Sequence, residues 1–188
     1  MAIFFIIAAV LIRVLSHFDY IPHLANFAPI AAMALFGGVY FTNKKYALII
    51  PLAAMIISDI FIGFYNPWIL TSVYGSFLLI GILGGWLKNH KTFTNIIGAS
   101  LIGSVAFFLI TNLAVWAVPL SFYPHTLQGL LQSYMMGLPF FRNTILGDLF
   151  YTGIMFGLME AVLWVTRNYQ FKKEKRGFTF KRVAGKRI

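Results

Sequence analysis

The chain has 188 residues, of which 60% are hydrophobic and only 11% are charged, and its mean hydropathy is +0.80. A soluble domain carries about 25% charged residues, so this composition excludes an ordinary water-soluble domain and indicates one polytopic membrane domain. The sequence has no cysteine, which excludes disulfides, thiolate metal ligands and cysteine catalysis.

The net charge of +10 is concentrated at the carboxyl end of the chain. Nine of the 15 Lys and Arg residues lie between Arg167 and the last residue. A basic segment after a membrane helix is typical of the cytoplasmic side, where it contacts anionic lipid head groups. Because no folded nucleic-acid-binding module accompanies the basic residues, we expect no nucleic-acid partner. We predict a transmembrane domain over residues 1–166 and a basic cytoplasmic tail over residues 167–188.

Six apolar segments follow one another along the chain, where about 20 residues are needed to cross the hydrocarbon of a bilayer. The first segment is short and interrupted by Arg13, and the second is rich in Ala and Gly. Residues 119–141 are interpreted as a long connection before the sixth segment. We predict an all-α bundle of six transmembrane helices, at residues 2–15, 26–41, 46–64, 69–87, 93–118 and 144–165.

Six spans place both termini on the same side of the membrane. With the basic tail in the cytoplasm, the turns that hold Lys44 and Lys45, and Lys88 and Lys91, also lie inside. Thirteen of the 15 basic residues are then cytoplasmic, which agrees with the positive-inside rule. We expect a multi-pass protein of the cell (inner) membrane with cytoplasmic N- and C-termini.

Polar residues that are costly in lipid occur in the outer half of several predicted spans. A carboxylate in a span costs roughly 2.5–3.5 kcal/mol, so Asp59 and Asp148 should face protein or a water-filled cavity. At about 1.5 Å per residue, both fall near the level of Asn112. Convergent polar groups in an apolar hollow with aromatic walls are typical of a small-molecule site. The candidate substrate-binding residues are Asp59, Asn112, Trp116, Asn143, Asp148, Arg142, Asn26 and Trp68.

Structural roles could account for several of these residues. Trp68 and Trp116 fit the aromatic belt at a membrane interface, and Asn112 could bond a neighbouring helix. The sequence leaves these alternatives open.

The two carboxylates also have possible basic partners. Asp59 and Asp148 could form ion pairs with Arg13 and Arg142, which lie on the same side of the predicted membrane. Glu160, close to Arg167, is interpreted as the ion-pair partner of a basic residue. His17 and His23 make only a weak metal signal, so we predict no metal and no cofactor.

Small residues on the second span form a stripe at Ala31, Ala34 and Gly38. Small residues at helical spacing let helix backbones approach closely. The stripe is interpreted either as packing within the chain or as a docking face for another membrane protein.

Several motifs resemble a family of small bacterial six-span membrane proteins that are described only as transport proteins. They are NFAPIAAMALFGGVYF at residues 26–41, SDIFIG at 58–63, TNLAVW at 111–116, YPHTLQG at 123–129 and LPFFRNTILGD at 138–148. The resemblance covers residues 20–165.

More distantly, the chain resembles the substrate-binding subunit of energy-coupling-factor vitamin importers. That resemblance implies a ligand layer at Asp59, Asn112, Trp116, Asn143 and Asp148. It also implies that the stripe Ala31, Ala34 and Gly38 docks a transmembrane coupling subunit, which ATPases drive.

We therefore expect a membrane-embedded solute-binding component of an importer, with no catalysis of its own, that binds a small organic molecule near the outer face. Two alternatives remain open. One is an integral membrane enzyme that uses Asp59 and Asp148 as an acid/base pair. The other is a cation- or proton-conducting, or purely structural, membrane protein.

Overall fold

The computed structural model describes residues 2–18, 26–27, 29–64 and 66–184, and within its helices the side chains of residues 30, 44 and 171–184 are not described. His23 and most of the predicted connection before the second span lie outside the described residues. The described chain is all-α, as predicted. Its helices are α1 (Ala2–His17), α2 (Ile30–Tyr40), α3 (Lys44–Ile62), α4 (Pro67–Leu87), α5 (Phe93–Ala117) and α6 (Leu127–Ala184).

Four helices are long and apolar enough to cross a membrane, which identifies a multi-pass membrane protein. Their apolar parts are Lys45–Ile62, Pro67–Leu87, Phe93–Ala117 and Leu127–Gln170. Helices α1 and α2 are also apolar but have only 16 and 11 residues. At about 1.5 Å per residue they are roughly 24 and 17 Å long, less than the 30 Å of a typical hydrocarbon core.

Side chains just before three of the helices fix where those helices begin. Asn43, Asn66 and Thr92 each accept a hydrogen bond from a backbone N–H in the first turn of α3, α4 and α5. Such caps satisfy backbone donors that have no partner inside the helix. The caps explain why the observed starts lie within two residues of those predicted.

The last helix begins 17 residues earlier than predicted, at Leu127 instead of residue 144. Thr126 accepts a hydrogen bond from the N–H of Gly129, which caps this start. Pro139 lies inside the helix and only removes one backbone donor, a loss that membrane helices tolerate. The predicted connection was therefore wrong over residues 127–141, which belong to α6.

The structure falls into two compact units, Met1–Met155 and Phe156–Ile188, which divide within α6. In the second unit the backbone stays helical to Ala184, so the segment predicted as a basic tail is helical over residues 167–184. Glu160 lies 3.8 Å from the guanidinium of Arg167, and both side chains are exposed. The predicted pairing of Glu160 with a basic residue is confirmed.

Helix α2 is the central helix of the first unit. It is apolar on every side, as expected of a helix that is buried all round, and residues 31–39 are all buried. Its backbone lies against that of α4, because a Cβ on Gly38 would come within 2.7 Å of the Cα of Gly84. Only glycine permits such an approach.

This packing accounts for the small-residue stripe. Ala31 and Ala34 are 7% and 3% exposed, and Gly38 is buried against α4. The stripe therefore serves helix packing within the chain.

Candidate functional site

Asp59 lies in a buried hydrogen-bonded network between α1, α3 and α4. Its Oδ1 accepts a hydrogen bond from Nη2 of Arg13 at 2.6 Å, and its Oδ2 accepts one from the hydroxyl of Tyr74 at 2.5 Å. The Arg13 guanidinium also donates to the hydroxyl of Ser58. The side chain of Asp59 is 1% exposed and that of Arg13 is 13% exposed. A buried carboxylate requires such a partner, because its charge is otherwise too costly.

The ion pair determines what Asp59 can do. Both carboxylate oxygens are engaged, and the arginine neutralises the charge. Of the two interpretations left open by the sequence, the structure shows the ion pair with Arg13. Asp59 therefore holds three helices together.

Asp148 lies in a different buried network, between α5 and α6. Its Oδ2 accepts a hydrogen bond from the hydroxyl of Ser104 at 2.6 Å, and Asp148 is 3% exposed. One turn away on each helix, the hydroxyls of Ser100 and Thr152 lie 3.4 Å apart. Arg142 is exposed and forms no ion pair with Asp148 within the described part of the chain.

The two carboxylates lie at different depths. The rings of Phe77 on α4 and Phe107 on α5 stack at 5.3 Å and mark one level of this antiparallel pair. Tyr74, which bonds Asp59, is three residues to one side of that level. Ser104, which bonds Asp148, is three residues to the other side. At 1.5 Å per residue, Tyr74 and Ser104 are roughly 9 Å apart along the helix axes. The sequence predicted one polar layer that holds both carboxylates, but Asp59 and Asp148 lie in two separate layers.

A cleft of about 400 Å³ lies between the end of α5 and the facing part of α6, and it also contacts α1 and α4. This volume falls in the range of small-molecule sites. Its polar lining comes from Arg13, Asn26, Thr111, Asn112 and Thr144. Its aromatic lining comes from Phe77, Phe107, Phe108, Phe140 and Phe141. The structure thus brings together two of the predicted site residues, Asn26 and Asn112.

Asn112 is held at the wall of the cleft by α6. Its Nδ2 donates a hydrogen bond to the backbone carbonyl of Phe108 at 2.9 Å. Its backbone carbonyl accepts a hydrogen bond from the hydroxyl of Ser133 on α6. A Cβ on Gly137 would lie 2.5 Å from its Oδ1, so the absent side chain of that glycine makes room for the amide. Among the described residues, none donates a hydrogen bond to this Oδ1.

The other polar groups of the cleft also present acceptors. The hydroxyls of Thr111 and Thr144 donate to backbone carbonyls one turn earlier, at 2.8 and 3.1 Å. Each hydroxyl oxygen keeps lone pairs that can accept a further hydrogen bond. Asn26 has a positive φ of 63°, a conformation that Asn adopts more readily than most residues, and its side chain is exposed.

Besides Asp59 and Asp148, four predicted site residues lie outside the lining of the cleft. Trp116 donates its indole N–H to the carbonyl of Pro124 and contacts His125, so it holds the α5–α6 connection. Trp68 is 67% exposed, as expected of a residue in an interfacial belt. Arg142 is exposed, and Asn143 is half-buried on α6.

Sequence reasoning missed several residues that build these sites. Ser100 and Ser104 are small polar residues four apart on a buried helix face, and this spacing was the signal that could have identified them. Gly137 and the stacked pair of Phe108 and Phe141, 4.4 Å apart, carry no such signal. Phenylalanine and glycine are common throughout an apolar chain.

The lining of the cleft offers polar and aromatic contacts to a ligand. The described residues hold no cluster of three or more His, Cys, Asp or Glu side chains that could hold a metal ion. The charged residue in its lining, Arg13, is paired with Asp59. The cleft can therefore accept hydrogen bonds and pack against flat apolar surfaces.

Comparison with known proteins gives one result. The sequence model of a protein family described as a family of unknown function (DUF6580) matches residues 1–172. No curated protein and no solved structure matches the chain.

Proposed function

The chain belongs to the DUF6580 family, and we propose that it binds a small organic solute in the cleft between α5 and α6. One observation carries the proposal. Five polar side chains from separate parts of the chain and five phenylalanine rings line one hollow of about 400 Å³. Apolar walls with a few convergent polar groups are the usual form of a ligand site.

The lining favours a particular kind of ligand. Because Thr111, Asn112 and Thr144 present acceptors, the ligand should present N–H or O–H donors. Because Arg13 is neutralised by Asp59, little net charge is left to attract an ion. The paired rings of Phe108 and Phe141 would pack against a flat ring. We propose an uncharged or weakly charged ring compound with several hydrogen-bond donors.

The proposal includes a topology. We propose six spans with both termini in the cytoplasm and the protein in the inner membrane, in which α1 and α2 cross as short helices packed around the other four. The positive-inside rule supports this orientation, since Lys88 and Lys91 lie at one end of α5. The cleft would then open toward the outer face, because it lies near the opposite end of that helix.

The solute would be delivered to a transporter. We propose that the protein is the binding component of an importer and carries out no catalysis. Energy would come from a partner transmembrane subunit with ATPases, as in the importers that the sequence resembles. The buried stripe at Gly38 does not support the docking face first expected, so the partner would contact another surface.

The enzyme alternative has less support. An acid and a base must both reach the same substrate. The residues that hydrogen-bond to Asp59 and Asp148, which are Tyr74 and Ser104, lie roughly 9 Å apart along the helix axes. Asp59 is also neutralised by Arg13. No observation favours a conducting pathway over a binding site.

The test is thermal stabilisation of the purified protein by a library of ring compounds with hydrogen-bond donors. A ligand at 100 times its Kd stabilises the folded state by about 2.7 kcal/mol, which is readily measured. Replacing Asn112→Leu removes one hydrogen-bond acceptor and should weaken binding about fivefold, as expected for a loss of about 1 kcal/mol. Trp68→Ala is the control and should leave binding unchanged, because Trp68 lies outside the cleft.

Two results would contradict the proposal. One is that no compound stabilises the natural protein. The other is that a stabilising compound loses its effect in Trp68→Ala but keeps it in Asn112→Leu, which would place the ligand outside the cleft.

A further inference from the structure

The end of the first unit that is opposite to the cleft carries a second cavity, a groove of about 570 Å³. It lies between the last residues of α2, the first turns of α3 and the last turns of α4. Gly81, Ile82 and Gly85 line the part closer to the middle of α4, and Leu48 faces them from α3. Lys88 lines the part at the end of α4. The groove therefore has an apolar floor and a basic end.

Gly85 adds open space to the groove. No heavy atom lies within 4 Å of the position that a Cβ on Gly85 would occupy, so this position is open space. A Cβ on Gly81 would meet the side chain of Leu48 at 2.7 Å, so this glycine lets α3 pack closely against α4 at the floor of the groove.

The basic end has unused hydrogen-bond donors. Nζ of Lys88 donates to the carbonyl of Phe41 at 2.8 Å, which uses one of the three donors of an ammonium group. The bond also fixes the lysine at the end of α2. Lys91 lies over the ring of Tyr40 at 5.0 Å, and Lys45 is exposed near the start of α3.

Among the described residues of the first unit, no carboxylate is paired with Lys88, the lysine that lines the groove. The carboxylates there are Asp59, which pairs with Arg13, and Asp148, which bonds Ser104. The groove therefore combines an apolar channel with the ammonium group of Lys88 at the end of α4.

We propose that this groove binds one anionic phospholipid, with an acyl chain along Gly81 and Gly85 and the phosphate at Lys88. Basic pockets between membrane helices on the cytoplasmic side bind anionic head groups in this way. A zwitterionic lipid fits the apolar floor equally well but brings its own positive group to the basic end. The site thus selects by charge. The proposal does not depend on the ligand of the cleft.

The test is native mass spectrometry of the full chain in detergent with an equimolar mixture of phosphatidylglycerol and phosphatidylcholine of the same acyl chains. We expect one phosphatidylglycerol to be retained in preference to phosphatidylcholine. Lys88→Gln should reduce that preference roughly fivefold, as expected for one lysine near an anionic surface. Lys45→Gln removes the same charge at the same end, but Lys45 does not line the groove, so this variant should have a smaller effect.

A second variant tests the apolar part. Gly85→Leu should fill the groove and abolish retention of the bound lipid, and the open space at Gly85 lets the variant fold. Gly75→Leu is the matched control, because Gly75 is on the same helix with equally open space and lies outside the groove. Equal retention of the two lipids by the natural protein, or unchanged retention in Gly85→Leu, would overturn the proposal.

Discussion

The network of Arg13, Asp59 and Tyr74 shows how one charged residue can be kept inside an apolar chain. The carboxylate is buried and has three neighbours from three helices: the guanidinium from α1, the phenol from α4 and Ser58 beside it. A buried pair adds little stability compared with a well-packed apolar core, but removing one member is strongly destabilising. The network therefore fixes the arrangement of the helices more than it raises the stability.

We expect Arg13→Met to lower the free energy of unfolding by about 3 kcal/mol, since it leaves the buried Asp59 without its counter-charge. Tyr74→Phe should lower it by about 1.5 kcal/mol, because only one hydrogen bond to the carboxylate is lost. Thermal unfolding in detergent measures both. The double variant Arg13→Met/Asp59→Leu is the control, and it should be more stable than Arg13→Met alone. A double variant as unstable as the sum of its single changes would contradict this role.

The residues of the cleft and of the Asp148 network were only partly accessible to sequence reasoning. Asn112 could be selected because an amide in an apolar span is unusual. Asp148 could be selected because a carboxylate in an apolar span is also unusual. Its depth in the membrane could not be predicted correctly, because the predicted start of α6 was 17 residues too late. Gly137 could not be selected, since its role depends on the amide that packs against it from another helix.

At the scale of helices, the contact between α2 and α4 dominates the packing of the first unit. Two glycines face each other, and a Cβ on Gly84 would lie 3.0 Å from the Cα of Gly38 and closer still to the carbonyl of Leu35. Close backbone contact of this kind supplies the packing that holds membrane helices together, since lipid provides no hydrophobic driving force between them.

Gly84→Ala should therefore destabilise the protein by roughly 1–3 kcal/mol, the usual cost of overpacking a tight contact. Gly85→Ala, one residue further along, meets open space and should change stability by less than about 0.5 kcal/mol. The melting temperatures of the two variants in detergent give the comparison. If both variants melted together, the glycine contact would not be important for stability.

At the scale of the whole molecule, the length of α5 predicts on which sides of the membrane the connections before and after it lie. Helix α5 has 25 residues and is about 37 Å long, more than the hydrocarbon thickness. The residues before and after it should therefore lie on opposite sides. By the positive-inside rule, the side with Lys88 and Lys91 should be cytoplasmic.

Because the chain has no cysteine, single cysteines can report this topology. Phe122 is 98% exposed after α5, and Asn89 is exposed before it. In intact spheroplasts, a membrane-impermeant maleimide should label Phe122→Cys, and it should label Asn89→Cys only after permeabilisation. The natural chain is the control and should remain unlabelled. Labelling of both variants from the outside, or of Asn89→Cys alone, would contradict the proposed orientation.

The sequence by itself determined the class of the protein, the membrane-crossing helices α3, α4 and α5, and the presence of polar groups inside the apolar chain. These follow from composition and local hydropathy, which depend on the order of residues along the chain. Only the tertiary structure decided that Asp59 is paired with Arg13, that Asp148 lies at another level, and that the stripe at Gly38 packs inside the chain. Those outcomes depend on which helix faces meet, and an apolar helix such as α2 carries no pattern that marks one face for protein and another for lipid.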